Sequence, residues 1–205
     1  ESVTVVKDWS FAIIHSIQEV TIHDNVTSIG NNAFSANINI TTLNIGESVE
    51  SIGDNAFTYC WNLGTINIPN SVESVGEAAF NNCRAATSIT IGTGVTSIGN
   101  SAFSGCWAAE SVNYNANVAL DYTETSNVFK NVGINGNGCV VVVGNNVTNI
   151  PAYLFYCADE TEENTNNVIS VTIGSGVETI GALSFTGCIN MSTLIIGTSV
   201  KTIGI

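Results

Sequence analysis

The chain has 205 residues, and its 17 Asp+Glu against 4 Lys+Arg give a formal charge of −13. Such a charge repels a nucleic-acid backbone or an anionic membrane surface, so neither is an expected partner, while neutral and cationic partners stay open. With 44% apolar residues and two prolines the composition is not that of a disordered protein, and no apolar run approaches the ~18 residues of a membrane-spanning helix.

Taken in order, the first segment places Val3, Val6, Phe11, Ile14, Ile17, Val20 and Ile22 where the next holds Val26, Ile29, Phe34, Asn37, Ile40, Leu43 and Ile45. From there the frame sharpens. Ile52-Gly53-Asp54-Asn55-Ala56-Phe57-Thr58-Tyr59-Cys60 returns as Val75 to Cys83 and again as Ile98 to Cys106, a step of 23 residues each time. A fixed period of this size marks a repeat architecture, in which one unit cannot bury its apolar face alone and stacking the units builds a continuous core. Within a unit, Leu43-Asn44-Ile45 and Ile66-Asn67-Ile68 alternate apolar and polar, the period of a half-buried strand. Gly46, Pro69 or Gly92 turns the backbone, a second short extended piece follows at 49–52 or 72–75, and Gly53 or Gly76 closes it. The 54–60 stretch, with Ala56, Phe57 and Cys60 at one-and-three spacing, predicts a single helical or 3₁₀ turn.

The fifth unit departs from the frame. From Tyr114 to Val143 there are 29 residues, with Phe129 as the core Phe between Asn/Gly-rich segments, so 115–143 is expected to form an irregular coil. A second insertion, 158–167, carries Asp159, Glu160, Glu162 and Glu163; its carboxylates are weak candidates for calcium, since their spacing matches no EF-hand loop. Strand positions at Ile22, Ile45, Ile68, Ile91, Tyr114, Val143, Ile173 and Ile196 predict eight parallel strands, roughly 34 Å along the stacking axis at ~4.8 Å per step. The sequence stops in mid-repeat at 200–205 and reads as one domain, 1–205, of a longer protein.

The frame Ile-Gly-x-x-Ala-Phe-x-x-Cys-x-x-Leu-x-x-Ile-x-Ile-Pro-x-x-Val, quoted from Ile52 to Val72, resembles the BspA-type leucine-rich repeat. The resemblance is specific through 26–106 and weakens at 114–143. It implies an α/β repeat fold, a right-handed parallel β-solenoid with short helical turns, in secreted or cell-surface proteins that act as adhesins or binding modules. It supplies no catalytic residues and no cofactor.

Cys60, Cys83, Cys106 and Cys188 share one place in their coils, with Cys157 one residue earlier, as expected of a buried apolar column. A zinc site wants thiolates converging on one point, not strung along an axis. His15 and His23 are the only histidines, and no nucleophile elbow, phosphate loop or zinc-protease motif accompanies them. The place after the Cys column holds Trp61, Arg84 and Trp107 in successive coils, an arrangement suited to a guanidinium between two indoles, either as a brace or as a ligand-facing patch. The outward positions of the strands, among them Thr65, Asn67 and Thr90, form a second, polar surface. The expected function is a non-enzymatic extracellular module recognising a host or neighbouring-cell protein, with carbohydrate binding through the Trp/Arg patch or a structural stalk as alternatives.

Overall fold

The structure is a computed structural model that describes residues 2–157 and 166–204. Two kinds of strand alternate along the sequence. The longer ones are β2 (Glu19–Ile22), β4 (Thr42–Ile45), β6 (Thr65–Ile68), β8 (Ser88–Ile91), β10 (Ser111–Tyr114), β11 (Cys139–Val143), β13 (Val168–Ile173) and β15 (Thr193–Ile195). The two-residue ones are β1 (Val5–Val6), β3 (Ser28–Ile29), β5 (Ser51–Ile52), β7 (Ser74–Val75), β9 (Ser97–Ile98), β12 (Asn149–Ile150), β14 (Thr179–Ile180) and β16 (Thr202–Ile203). Strands pair in parallel with counterparts one coil away, in registers such as Thr65↔Ser88 and Ser51↔Ser74, so the sequence period is the stacking period. The eight predicted strand positions lie on β2 to β15, except that Ile196 falls one residue beyond the end of β15.

The longer strands build one wall, as a pair β2-β4 and a six-stranded sheet running from β6 to β15. Alternation decides what they bury: in β6, Ile66 and Ile68 face the core while Thr65 and Asn67 face solvent. The second extended piece is shorter than expected, because the Val49 and Val72 N–H groups bond back to Gly46 and Pro69 in turns. The short strands form a five-stranded sheet β1-β3-β5-β7-β9 and a three-stranded sheet β12-β14-β16, and among the described residues no strand bridges β9 to β12. At the glycine closing each short strand the coils come closest: a Cβ at Gly76 would lie 2.5 Å from the Asp54 nitrogen and 2.6 Å from the Gly53 carbonyl carbon.

The third wall corrects the expectation of a helical turn. Asn55 and Tyr59 have φ of 56° and 58°, and the same left-handed pair recurs at Asn32 and Ala36, Ala78 and Asn82, and Ser101 and Gly105, whereas α and 3₁₀ helices need negative φ throughout. The N–H groups of Asn55, Phe57 and Tyr59 do not turn back within their own coil; they donate to the Glu77, Ala79 and Asn81 carbonyls of the next coil, each at 2.8 Å. Ala, Phe and Cys at one-and-three spacing reach the core equally well from this ladder, which is why the pattern imitates a helix. The wall is a third hydrogen-bonded face, and the described residues contain no helix.

Inside, Phe11, Phe34, Phe57, Phe80, Phe103, Phe129, Phe155 and Phe185 stack ring on ring with neighbouring centroids 4.5 to 5.7 Å apart. The offset-stacking geometry that aromatic rings favour is thus set by the coil spacing. The cysteine column lies beside it. Its members Cys60, Cys83, Cys106 and Cys188 are free and buried, as is Cys139 on β11, and the Cys60 and Cys83 Sγ–H groups donate to the Phe34 and Phe57 carbonyls of the preceding coils at 3.4 Å. Burial pushes the Cys60, Cys106, Cys139 and Cys188 thiols up to about 12, so they are inert thiols and not nucleophiles. Asn37 stands in the same column and its amide donates to the Phe11 and Phe34 carbonyls at 2.6 and 2.9 Å.

Candidate functional site

The residue after the Cys column stands at the corner between the turn wall and the strand wall. The corner is fixed by backbone bonds between coils: Ala85 N–H donates to the Trp61 carbonyl at 3.0 Å, Ala108 N–H to the Arg84 carbonyl at 3.1 Å, and Asn135 N–H to the Trp107 carbonyl at 2.9 Å. The last bond puts Ile134 in the next place of the column, so the order along the axis is Ile38, Trp61, Arg84, Trp107, Ile134. The Arg84 guanidinium carbon lies 5.0 Å from the Trp61 ring centroid and 4.3 Å from that of Trp107. Sequence spacing brings these three residues together as expected. Attraction between a cation and an indole face is worth about 0.5–1 kcal/mol at an exposed site and more when desolvated.

Arg84 is the only arginine in the sequence. Among the described residues its side chain makes no hydrogen bond, and the ion pair there joins Lys201 to Glu178, at 2.9 Å. Its Nε and the Trp107 Nε1 are both buried without an acceptor. Two orphaned donors in one stack are costly, since an unmade buried hydrogen bond costs about 1–3 kcal/mol. Nε is sealed inside the sandwich, so the Nη groups at its rim are the part of the guanidinium left facing solvent. Trp61 is 40% exposed.

The polar sheet face is separate from this stack. Thr65 and Asn67 are exposed and Thr90 half-buried, and none of them hydrogen-bonds to Trp61, Arg84 or Trp107. Neighbouring polar groups there partly satisfy one another, as where the Asn113 amide reaches Thr90 Oγ1 at 3.5 Å and Ser111 Oγ meets Ser88 Oγ at 3.2 Å. The face is also less uniformly polar than the residue pattern predicts, because Val140 and Val142 point outward from β11. His15 and His23 are exposed. Asp159, Glu160, Glu162 and Glu163 lie outside the described residues. Among the described residues no three His, Cys, Asp or Glu side groups converge as a metal site would need.

Two features were not singled out by sequence reasoning. An Asx ladder runs through the first coils, at the place after Lys7, Gly30 and Gly53: Asp8, Asn31 and Asp54 accept the N–H of Asn31, Asp54 and Glu77 on one side-chain oxygen at 2.7, 2.7 and 2.8 Å. Its signal was available as Gly followed by Asn, Asp or Glu every 23 residues. Beside the ladder the short strands floor an open trough of about 1060 Å³, lined by Ser28, Ser51, Ser74 and Ser97. It is shallow and polar, and one oxygen of Asp8 and one of Asp54 are already committed to the backbone.

The repeat unit of this architecture defines a class. The BspA-type leucine-rich repeat region matches residues 1–110 and 148–205 in six copies, and the protein belongs to that family. The gap between the matched segments contains the irregular coil. Among solved structures, it is similar to a leucine-rich repeat protein from Bacteroides ovatus, at 20% identity and a TM-score of 0.60 over 98% of its own length and 66% of the other's. It is also similar to the T. pallidum leucine-rich repeat protein, at 19% identity and a TM-score of 0.58 over 98% of its own length and 67% of the other's. At such identities the likeness establishes the fold, and the 205 residues span about two thirds of the length of both. No functionally curated protein matches it in sequence.

Proposed function

We propose that this protein is a non-enzymatic recognition module displayed outside the cell, its coils wound as a right-handed solenoid in the hand that parallel connections take. It binds a protein of a host or a neighbouring cell. The observation that carries this reading is the Trp61–Arg84–Trp107 stack. It combines two of the residue types most enriched at binding hot spots with a rigid backbone, and its polar groups find no partner within the described residues. The family of surface-type repeat proteins agrees with a general interaction role.

The same geometry favours a protein partner over a sugar platform. A pyranose ring docks on an open aromatic face, and here one face of each indole is occupied by Arg84 while the other looks toward Ile38 or Ile134 in the column. What the stack offers outward is indole edges and guanidinium N–H groups, which suit a mixed protein surface. The test is saturable binding of the protein to immobilised extracellular-matrix proteins and glycans, with Trp61→Ala/Trp107→Ala in parallel. Binding to a protein that is lost in the double variant is the expected result. Retained binding moves recognition to the strand face at Thr65, Asn67 and Thr90, and the absence of any saturable ligand favours a structural stalk.

A further inference from the structure

We infer that the group the stack receives is a single carboxylate of the partner protein, held by the rim of the Arg84 guanidinium, on a partner surface otherwise neutral or basic as the charge of −13 requires; this rests on the recognition reading above and names its chemistry. Three observations converge on it. First, the sequence has 17 Asp+Glu, yet among the described residues no carboxylate is paired with its only arginine. Arg84 lies instead between two indoles, 4.3 and 5.0 Å from their ring centroids.

Second, an indole lies on either side of the guanidinium, with ring centroids 5.0 and 4.3 Å from its carbon. With Nε buried and without an acceptor, the donors left accessible are the Nη groups. Planar, paired N–H groups with no acceptor match the two oxygens of a carboxylate, the geometry for which arginine is used over lysine. Third, the site lacks acceptors and has donors in excess, because the Trp107 Nε1–H is orphaned as well. A ligand must therefore bring oxygen acceptors, and a neutral hydrogen-bond donor or a cation has nothing to bind. The indoles raise the strength of such a contact by keeping water from both faces of the cation.

The test follows the Arg84 Nε–H and Trp107 Nε1–H signals of the ¹⁵N-labelled protein by NMR. Four probes are titrated: N-acetyl-glutamate methylamide, N-acetyl-leucine, N-acetyl-glutamine methylamide and galacturonate. Saturable movement with the two carboxylate-bearing amino-acid probes and none with the glutamine probe is expected. A larger response to the first assigns an acidic side group, and to the second a C-terminal carboxylate. Arg84→Lys keeps the charge but loses the planar fork, and should weaken binding roughly tenfold or more; Arg84→Gln should abolish it. The rest of each spectrum reports whether the variant is folded. No movement with any carboxylate, equal movement with the glutamine probe, or unchanged affinity in Arg84→Lys overturns the inference, and a response to galacturonate alone overturns the protein source. The two readings fail separately. If partner binding disappears in Trp61→Ala/Trp107→Ala but is unchanged in Arg84→Gln, recognition at the stack stands and the carboxylate falls; if neither variant affects it, recognition at the stack falls.

Discussion

Coils of the regular stretch and the coil at 115–143 carry the same core by different means. In the regular coils three walls are hydrogen-bonded to their neighbours at one register. In the irregular coil two of those walls persist: β10 pairs β11 from Ser111↔Val140 to Tyr114↔Val143, and Phe103 N–H still reaches the Val128 carbonyl at 3.0 Å. The additional residues are split between the short-strand wall, before Phe129, and the corner at 133–138 that leads into β11. On the short-strand wall the paired strands stop after β9, single backbone bonds remain from Asn117 N–H to the Val95 carbonyl at 2.9 Å and from Tyr122 N–H to the Ala152 carbonyl at 3.2 Å, and side groups add to them. Asn117 Oδ1 accepts Thr148 N–H at 3.0 Å, Asp121 Oδ1 accepts Ala152 N–H at 2.8 Å, and the Tyr122 hydroxyl donates back to the Ile98 carbonyl at 3.2 Å. A repeat array thus tolerates insertion where it leaves the long-strand pairing in register, and polar side groups satisfy the backbone groups that lose a ladder partner.

The largest effect that sharpens this comparison is on the Phe column. Phe80 and Phe129 are both fully buried, one in a regular coil and one in the irregular coil. Phe80→Ala should cost about 3–5 kcal/mol, the usual range for emptying a packed aromatic site. Phe129→Ala should cost the same, because its centroid lies 5.2 Å from that of Phe103 and 4.5 Å from that of Phe155. Urea unfolding of both variants measures this. A much smaller loss at Phe129 would mean that the irregular coil is not part of the continuous core.

Glycine substitutions separate the two regions in the opposite sense. At Gly76 an added Cβ meets backbone at 2.5 Å, which cannot give way as a flexible side group could, so Gly76→Ala should destabilise by about 1–3 kcal/mol. At Gly136, in the irregular coil, the nearest atom is 3.9 Å away and φ is not in the left-handed region. Gly136→Ala should leave stability within about 0.5 kcal/mol, as at an ordinary surface position. Comparable losses at both sites would show that the irregular coil is as closely stacked as the others.

Much of this was legible in the sequence. The 23-residue step, the alternation in Ile66-Asn67-Ile68, the Phe and Cys columns and the meeting of Trp61, Arg84 and Trp107 all follow from one repeat register. What was not legible has identifiable causes. The left-handed residues Asn55, Ala78 and Ser101 are not glycines, so nothing marked the 54–60 stretch against a helical turn. The orphaned Nε of Arg84 depends on what is absent around it, which no residue spacing encodes.

The smallest stability effect decides what the stack is for. If Trp61, Arg84 and Trp107 were a brace, removing one would loosen the coils they join. The coils are already joined at this corner by the bonds from Ala85 to Trp61 and from Ala108 to Arg84, which no truncation of these side groups touches. Trp61→Ala loses one cation–indole contact at a half-open site, about 0.5–1 kcal/mol, and Arg84→Ala loses two, offset where an orphaned donor is freed to meet water. In the same urea titration Trp61→Ala should shift stability by less than about 1 kcal/mol and Arg84→Ala by less than about 2 kcal/mol. A loss of the size expected at Phe80 would make the stack a structural element. A loss this small would leave three partly exposed residues, two of them with buried donors that meet no acceptor among the described residues, that folding does not need, as the proposed recognition role expects.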